Sequence, residues 1–339
     1  MSRIGAFFAV NELERADTDE LCLKLKCDMK NLTGSIVFIR LFLTSVLVLG
    51  SVHAFALGPN LLSQVALIVD ARSGESIYAK NANTVTPIAS ITKLMTAMIV
   101  LDAQQNLDQM LTVDIEDLDY LKASRSRLSI GSELTRREML QLSLMSSENR
   151  AASTLGRFYP GGLKAAVAAM NARAKSLGMS NTRYVDTTGL SPENVSTARD
   201  LVTLVQSAQT YTLIREYSTQ SDQYVQIPTT GQTLHYNNSN ALVKSDGWSI
   251  SVQKTGFIRE AGRCVVMLAQ IAQRPVVLVL LDSVGKFSRL GDANRVKTWI
   301  ETGEVLAIPV PKPKAIAKKT VKGAKGKRGK VVIVKKRKR

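Results

Sequence analysis

Histidine and cysteine are scarce in this sequence. It has 2 histidines, His53 and His235, and 3 cysteines among its 339 residues. Two histidines are too few for a histidine-rich metal site, and three cysteines allow at most one disulfide. We therefore expect no metal, no cofactor and no disulfide framework. Because a G-x-S-x-G motif is also missing, we do not expect a Ser-His-Asp hydrolase.

Acidic side chains are missing from residues 311–339, where 14 lysines and arginines lie. The rest of the chain carries only +3 of the formal net charge of +17. We expect residues 305–339 to form a disordered basic tail, because this composition cannot bury a core. In a cytosolic protein such a tail indicates nucleic-acid binding. On an exported protein we expect it to bind anionic envelope polymers or membrane surfaces instead, and a solubilising tail without a partner is a third interpretation.

The apolar stretch near the N-terminus is short. Residues 36–49 are interrupted by Arg40, and the core at 41–49 is too short to span a bilayer. An A-x-A pattern follows and ends at Ala56. Residues 29–56 therefore predict a secretory signal peptide cut after Ala56, which would place the mature protein in the periplasm. A buried helix or a membrane anchor is the alternative.

The residues before Met29 do not resemble the leader of a signal peptide. They include several acidic side chains, where a signal peptide has a short positive leader. We expect residues 1–28 to be a non-native extension and Met29 to be the initiator. Signal cleavage would also remove Cys22 and Cys27 and leave Cys264 as the one cysteine, which is compatible with an oxidising compartment.

The apolar pattern predicts one mixed α/β domain over residues 57–304. Two strands open it, helices fill its middle, and further strands and a helix close it. The simplest assembly is one antiparallel sheet that joins the first hairpin to the late strands, with helices on its faces. The predicted strands are residues 64–71, 76–80, 224–228, 234–238, 249–257, 263–270 and 276–281, and the predicted helices are 91–105, 135–145, 162–177, 197–208 and 286–302.

An S-x-x-K motif lies at the predicted start of a helix, at Ser90 and Lys93. Residues three apart share a helix face, so the lysine amine can reach the serine hydroxyl. A serine becomes a good nucleophile when a base takes its proton, and a desolvated lysine beside another cation has a lowered pKa. The alternative is a helix-capping serine and a solvated lysine. The same spacing also occurs at residues 251–254 and 283–286, so this motif alone does not decide.

An S-x-N motif falls between two predicted helices, at Ser147 and Asn149. The Ser147 hydroxyl can relay a proton to a leaving amine, and the Asn149 amide can orient the substrate and Lys93. Serine and asparagine also favour helix caps, so a plain cap is the alternative interpretation.

A K-T-G motif lies on a predicted strand that ends in a hairpin turn. Lys254 supplies a positive charge for a substrate carboxylate, and Thr255 can donate a hydrogen bond to the same group. Gly256 lets the strand approach a ligand closely. The N–H of Phe257 can pair with the N–H of Ser90 as an oxyanion hole. The alternative is an exposed edge strand protected by a lysine.

These three motifs in this order resemble those of penicillin-binding proteins and serine β-lactamases. The chain is most similar to the low-molecular-mass D-alanyl-D-alanine peptidases, at residues 87–96, 145–152, 186–201 and 254–264. The resemblance implies a DD-peptidase/β-lactamase-like fold with a five-stranded antiparallel sheet packed by helices. It also implies acyl transfer through Ser90. The functional residues that it implies are Ser90, Lys93, Ser147, Asn149, Lys254, Thr255 and Gly256.

Within that family the sequence looks most like the endopeptidase branch. This implies hydrolysis of D-alanyl–meso-diaminopimelyl cross-links in peptidoglycan, with β-lactams as acylating inhibitors. The carboxypeptidase branch adds a β-rich domain and an amphipathic anchor, and the sequence after Thr302 shows neither pattern. A D-alanyl-D-alanine carboxypeptidase remains the alternative, and an anionic-polymer-binding protein driven by the tail is an alternative of another class.

A β-lactamase is the other enzyme to consider. Class A members activate the deacylating water with a glutamate in an E-x-x-x-N motif after S-x-N. No such spacing follows here, because Glu193 and Asn194 are adjacent. We therefore expect slow turnover of penicillin and a long-lived acyl-Ser90. Arg259 and Arg274 are further candidates for contacts to a substrate carboxylate.

Overall fold

The computed structural model describes residues 58–122, 124 and 126–309. The expected extension (1–28), the signal peptide (29–56) and nearly all of the basic tail lie outside these residues, so they stay predictions. Within the described part of the chain, no helix is both long enough and apolar enough to cross a membrane.

The described residues form eleven strands and seven α-helices. The strands are β1 (Ser63–Asp70), β2 (Ser76–Lys80), β3 (Thr86–Pro87), β4 (Met110–Thr112), β5 (Glu133–Thr135), β6 (Val195–Ser196), β7 (Asp222–Ile227), β8 (Gln232–Asn237), β9 (Ser249–Ile258), β10 (Gly262–Ile271) and β11 (Arg274–Ser283). The helices are α1 (Thr92–Asp102), α2 (Arg136–Met145), α3 (Asn149–Arg157), α4 (Gly162–Ser176), α5 (Ala198–Ala208), α6 (Thr212–Thr219) and α7 (Ser288–Thr302).

Five strands form the central antiparallel sheet, in the order β2-β1-β11-β10-β9. The first hairpin joins the late strands through β1, in which Val65 lies opposite Leu281 and Val69 opposite Val277 of β11. The predicted five-stranded antiparallel sheet is therefore confirmed. Because β9 is an edge strand, one side of its backbone is open to a ligand beside the K-T-G motif.

Helices bury both faces of this sheet. On one face, Val65 and Leu67 belong to the same core as Leu94 of α1. On the other face, Ile68 belongs to a second core with Val296 of α7. Burial on both faces explains why these strands appear in the sequence as nearly continuous apolar runs rather than alternating ones.

The helix α1 runs through the centre of the larger core. All residues from 92 to 100 are buried, so the helix is enclosed on every side rather than on one stripe. Lys93 lies on its first turn and has no exposed surface (0%). The alternative of a solvated surface lysine is therefore wrong.

Several helix ends lie where capping residues predict them. Thr135 and Glu138 form a reciprocal capping box at the start of α2. Thr197 accepts a hydrogen bond from the N–H of Asp200 and begins α5. Gly178, with φ of +74°, follows the end of α4.

Other elements differ from the predictions. The pattern did not predict α3 or α6, which are short and rich in polar residues. The strands predicted at 224–228 and 234–238 lie close to β7 and β8, but they pair with each other in a separate ribbon and do not join the central sheet. Strand periodicity specifies a face and not a partner, so it could not separate these two outcomes.

Candidate active site

Ser90 lies in a short 3₁₀ turn at Ala89–Ile91, immediately before α1. This is the position at the helix N-terminus that the sequence predicts. Ala89 has φ of +47°, a backbone conformation that costs an alanine on the order of 1 kcal/mol. The core around α1 holds this strained turn in place, and it presents the half-buried Ser90 at the helix N-terminus.

Two glycines lie directly against the turn that carries Ser90. A Cβ atom on Gly256 of β9 would lie 3.0 Å from Ser90 N and 3.0 Å from Ile88 O. A Cβ atom on Gly189 would lie 2.0 Å from Ala89 O. The close approach expected of Gly256 is present, whereas sequence reasoning missed Gly189. Its signal was available, because Gly189 belongs to the segment 186–201 that resembles the peptidase family.

The Lys93 amine has three hydrogen-bond partners. It donates to Ser90 Oγ at 2.9 Å, to Asn149 Oδ1 at 2.8 Å and to the carbonyl of Thr188 at 2.6 Å. The structure therefore brings the S-x-x-K pair and the asparagine of S-x-N together. Thr188 was not predicted, because a backbone carbonyl leaves no trace in the residue type.

The Lys93 amine is poised to act as a base. Complete burial lowers its pKa from 10.5 to about 7, although nearby carboxylates of Asp186, Glu148 and Asp119 act in the opposite direction. At this pKa a substantial fraction of the amine is neutral near neutral pH and can accept a proton.

The S-x-N motif reaches the site through one of its two predicted residues. Asn149 begins α3, and its Nδ2 donates to Ser124 Oγ at 2.8 Å. Ser147 has φ of +64° and is half-buried. Its hydroxyl makes no hydrogen bond within the described ranges, so its role as a proton relay stays a prediction.

Lys254 is a second fully buried lysine (0% exposed). Its Nζ donates to the carbonyl of Thr255 at 2.9 Å. Burial, together with the positive charges of Lys93 and Arg289, holds the pKa of Lys254 well below its ordinary value. A carboxylate beside this amine would restore its charged form.

The rest of the K-T-G strand lies beside the Ser90 turn. Thr255 donates from Oγ1 to Ser239 Oγ at 2.8 Å. Phe257 is exposed, and the guanidinium of Arg263 lies 4.4 Å from its ring centre. Since Gly256 contacts the Ser90 turn, the N–H of the next residue remains our candidate for the oxyanion hole.

Arg289 on α7 is a site residue that sequence reasoning missed. It is only 8% exposed, and its Nε and Nη1 have no hydrogen-bond partner among the residues that the structure describes. Its charge lowers the pKa of Lys254. A buried, unpaired guanidinium beside a buried amine favours binding of an anion. Arg289 lies outside the three motifs, on a helix that follows β9 only after two further strands. Its position near Lys254 therefore could not be predicted from the sequence.

Of the two arginines proposed from the sequence, Arg274 lies away from the site. Arg274 begins β11, lies 3.8 Å from Asp70, and is at the opposite end of the ten-residue strand from the site. That separation is about 30 Å at the usual rise per strand residue. The expected contact of Arg274 with a substrate carboxylate is therefore wrong. Arg259 is exposed in the turn between β9 and β10.

A cavity of about 180 Å³ opens next to the partners of Lys93. Asn149 and Thr188 line it, together with Asp119 and the exposed Tyr120. Among the described residues, no group of three or more histidine, cysteine, aspartate or glutamate side chains could hold a metal ion.

The site combines a serine hydroxyl beside a buried lysine base with two further buried cations, Lys254 on the edge strand and Arg289 on α7. This arrangement defines an enzyme that transfers acyl groups through a serine nucleophile. The matching family model is that of Peptidase S11, described as D-alanyl-D-alanine carboxypeptidase, and it covers residues 53–285. The chain belongs to this family and is a serine DD-peptidase.

Curated relatives and solved structures agree with this family. The chain is 49% identical over 251 residues to a D-alanyl-D-alanine endopeptidase of Escherichia coli, covering 74% of this chain and 81% of the relative. It is 48% identical over 250 residues to the endopeptidase of Pseudomonas aeruginosa, with the same coverage of 74% and 81%. A Streptomyces DD-transpeptidase superposes with a TM-score of 0.66 at 28% identity, covering 71% of this chain and 98% of that one. The ampicillin-bound form of Penicillin-Binding Protein D2 from Listeria monocytogenes gives 0.61 at 29% identity, covering 70% and 96%.

Proposed function

We propose that this serine DD-peptidase is an endopeptidase that hydrolyses D-alanyl–meso-diaminopimelyl cross-links during remodelling of the cell wall. The support is its 49% and 48% identity to relatives named D-alanyl-D-alanine endopeptidase. A relative named carboxypeptidase, from Streptomyces, is 31% identical. The D-alanyl-D-alanine carboxypeptidase activity is the second candidate, because the family model carries that description.

The proposed reaction starts with attack of Ser90 Oγ on the carbonyl of the D-alanyl residue. Lys93 takes the hydroxyl proton, while the N–H groups of Ser90 and Phe257 hold the oxyanion. Ser147 relays a proton to the leaving amine, and an acyl-Ser90 remains. Water then attacks this ester with Lys93 again as the base. The contact of 2.9 Å between Lys93 Nζ and Ser90 Oγ carries this proposal.

The cations at the site fit the chemistry of the substrate. Both a D-alanyl-D-alanine terminus and a D-alanyl–meso-diaminopimelyl cross-link have a free carboxylate next to the nitrogen of the scissile bond. We assign this carboxylate to Lys254, Thr255 and Arg289. Its binding offsets the cost of keeping two buried cations close together.

Labelling with a fluorescent penicillin tests the nucleophile. We expect covalent labelling of the wild type, slow release of the label, and no labelling of Ser90→Ala. Ser251→Ala is the matched control, because Ser251 also begins an S-x-x-K spacing but lies on a strand and donates to the Leu268 carbonyl. Labelling of Ser90→Ala at the wild-type level would contradict the assignment.

Two substrates separate the two candidate activities. Purified cross-linked muropeptide dimers report endopeptidase cleavage, and monomeric pentapeptides report release of the terminal D-alanine. We expect faster cleavage of the dimers, measured by chromatography and mass spectrometry. Faster release from the monomers would instead favour the carboxypeptidase.

We also propose that the protein is exported to the periplasm with cleavage after Ala56. The support is the A-x-A pattern behind a short apolar core. N-terminal sequencing of the mature protein should begin at Leu57, and mass spectrometry of the unprocessed protein should begin at Met29. A mature protein that retains residues 29–56 would contradict cleavage.

For the basic tail we propose attachment to anionic envelope polymers. Its 14 cationic residues at positions 311–339 would give a binding that weakens as salt rises. Deletion of residues 311–339 should abolish salt-sensitive retention on isolated sacculi. Equal retention with and without the tail would remove the idea, and DNA binding by the folded domain alone would favour a nucleic-acid-binding module.

A further inference from the structure

Lys93 can accept a proton only if its lone pair points at the Ser90 hydroxyl. A neutral amine has two N–H donors and one lone pair. Asn149 Oδ1 and the Thr188 carbonyl lie 2.8 Å and 2.6 Å from Nζ. When these two acceptors take both N–H groups, the lone pair is left for the hydroxyl of Ser90, 2.9 Å away.

The orientation of the Asn149 amide therefore decides whether the base is available. The two ends of an asparagine amide have nearly the same shape but opposite hydrogen-bonding character. A flipped amide would place its NH₂ group against the Lys93 amine. That group would donate to the lone pair and compete with Ser90 for it.

A neighbouring loop fixes this orientation. Asn149 Nδ2 donates to Ser124 Oγ at 2.8 Å, and the backbone N–H of Ser124 donates to Asp119 Oδ2 at 2.8 Å. The ionised Asp119 carboxylate therefore lies beside Ser124 and only accepts, so it attracts the hydroxyl proton and leaves a lone pair of Ser124 Oγ for Asn149. Only the NH₂ end of the amide fits there, which leaves Oδ1 for Lys93.

Asp119 is itself held in place and ionised. Its Oδ1 accepts the N–H groups of Leu121 and Lys122, each at 2.9 Å, and its Oδ2 accepts that of Ser124 at 2.8 Å. Burial raises the pKa of Asp119, but hydrogen bonds from Ser124 and these backbone groups outweigh it and hold the pKa below its ordinary value.

We propose that Ser124 and Asp119 are positioning residues of this enzyme: they set the direction of the hydrogen-bond chain that ends at Lys93 and Ser90, and so keep the lone pair of Lys93 on the nucleophile. The inference rests on the proposed roles of Ser90 and Lys93.

Other charged groups also shift the pKa of Lys93 and therefore affect the pH profile of the acylation rate. Glu148 precedes α3, Asp186 lies in the loop before β6, and Asp119 follows the 3₁₀ turn Ile115–Asp117; all three raise the pKa of Lys93. Lys254 on β9 is the cation that faces it. Substitutions of Ser124 leave all of these charges in place.

The test compares three serine variants of the full-length protein. Ser124→Ala removes the acceptor for Nδ2, and Ser124→Thr keeps it. Ser126→Ala is the control, because Ser126 lies two residues further in the same loop and hydrogen-bonds only the Leu128 backbone among the described residues. The readouts are the second-order rate constant of acylation by a fluorescent penicillin from about pH 5 to about pH 9, and the midpoint of thermal unfolding.

We expect Ser124→Ala to lower the plateau rate by about tenfold, the effect of one lost hydrogen bond. The acid limb of its profile should also move to lower pH, because an NH₂ group facing Lys93 disfavours the ammonium form. Ser124→Thr and Ser126→Ala should match the wild type. If Ser124→Ala only destabilised the loop, the acylation rate constant would fall equally at every pH, and the acid limb of the profile would not move.

The inference is overturned if Ser124→Ala keeps the wild-type plateau and acid limb, or if Ser126→Ala shows the same loss as Ser124→Ala. The Ser90→Ala labelling separates this failure from a failure of the proposed function. If Ser90→Ala still labels, the nucleophile is wrong. If it does not label and Ser124→Ala behaves as the wild type, only the positioning role is wrong.

Discussion

Gly189 packs against Ala89 so closely that a Cβ atom on it would lie 2.0 Å from the Ala89 carbonyl oxygen. Both residues have a positive φ, +80° for Gly189 and +47° for Ala89. Asp186 accepts the N–H of Gly189 at 2.6 Å and that of Ser191 at 3.0 Å, which fixes the loop. This loop lies directly against the turn that carries the nucleophile and supports it.

Substitution of this glycine should be far more costly than substitution of a glycine with the same backbone angle elsewhere. Gly178 also has a positive φ, +74°, but a Cβ on it would meet no atom within 4 Å. We expect Gly178→Ala to cost about 1 kcal/mol of unfolding free energy, from backbone strain alone. Gly189→Ala should cost more than about 3 kcal/mol and abolish penicillin labelling, because a backbone atom cannot move aside. Urea unfolding measures the loss of unfolding free energy in each variant. Equal losses in Gly178→Ala and Gly189→Ala would show that the close contact at Gly189 is absent.

The acylation rate should depend on pH through Lys93. Burial lowers the pKa of this amine to about 7, and only its neutral form can take the Ser90 proton. We therefore expect the rate constant to rise about tenfold per pH unit up to about pH 7 and to level off above it. Stopped-flow acylation with a chromogenic β-lactam measures the profile. A rate that stays flat between about pH 5 and about pH 8 would exclude Lys93 as the base.

Loss of the Arg289 guanidinium should weaken recognition of the substrate carboxylate. For Arg289→Leu we expect kcat/KM on a peptide with a free C-terminal carboxylate to fall by at least about 30-fold, as for a buried charge contact. On the same peptide with a C-terminal amide, Arg289→Leu and the wild type should have similar kcat/KM. Arg274→Leu is the control, because Arg274 lies at the far end of β11, near Asp70. An equal loss on acid and amide peptides would mean that Arg289 supports the fold and does not bind the carboxylate.

Cys264 should be inert in the folded protein although it lies opposite Gly256 in the sheet. It has no exposed surface (0%), and burial raises the pKa of its thiol to about 12. We expect no alkylation by iodoacetamide at neutral pH, and rapid alkylation in guanidinium chloride, because the thiolate is the reactive form. Peptide mapping by mass spectrometry distinguishes this residue from Cys22 and Cys27. Native alkylation as fast as in the denatured chain would contradict the burial.

The sequence predicted the sheet strands and the long helices well, because their patterns are local. Residues 76–80 were predicted with the bounds of β2, and the capping pair Thr135 and Glu138 marked the start of α2. The pattern failed for α3 and for the separate ribbon of β7 and β8. Short polar helices and strand partners depend on what packs against them, and periodicity does not contain that information.

The residue types and their order along the chain already determined the class of chemistry. A serine and a lysine three residues apart on a helix can meet whatever the rest of the chain does, since helix geometry alone brings them together. The tertiary structure decided which groups complete the site. Lys254 reaches it from β9, Arg289 from α7, and Thr188 and Gly189 from one loop before β6. The burial that lowers the pKa of Lys93 exists only once the whole core has closed around α1. The amine is a base because water is excluded from it, and the fold as a whole excludes that water.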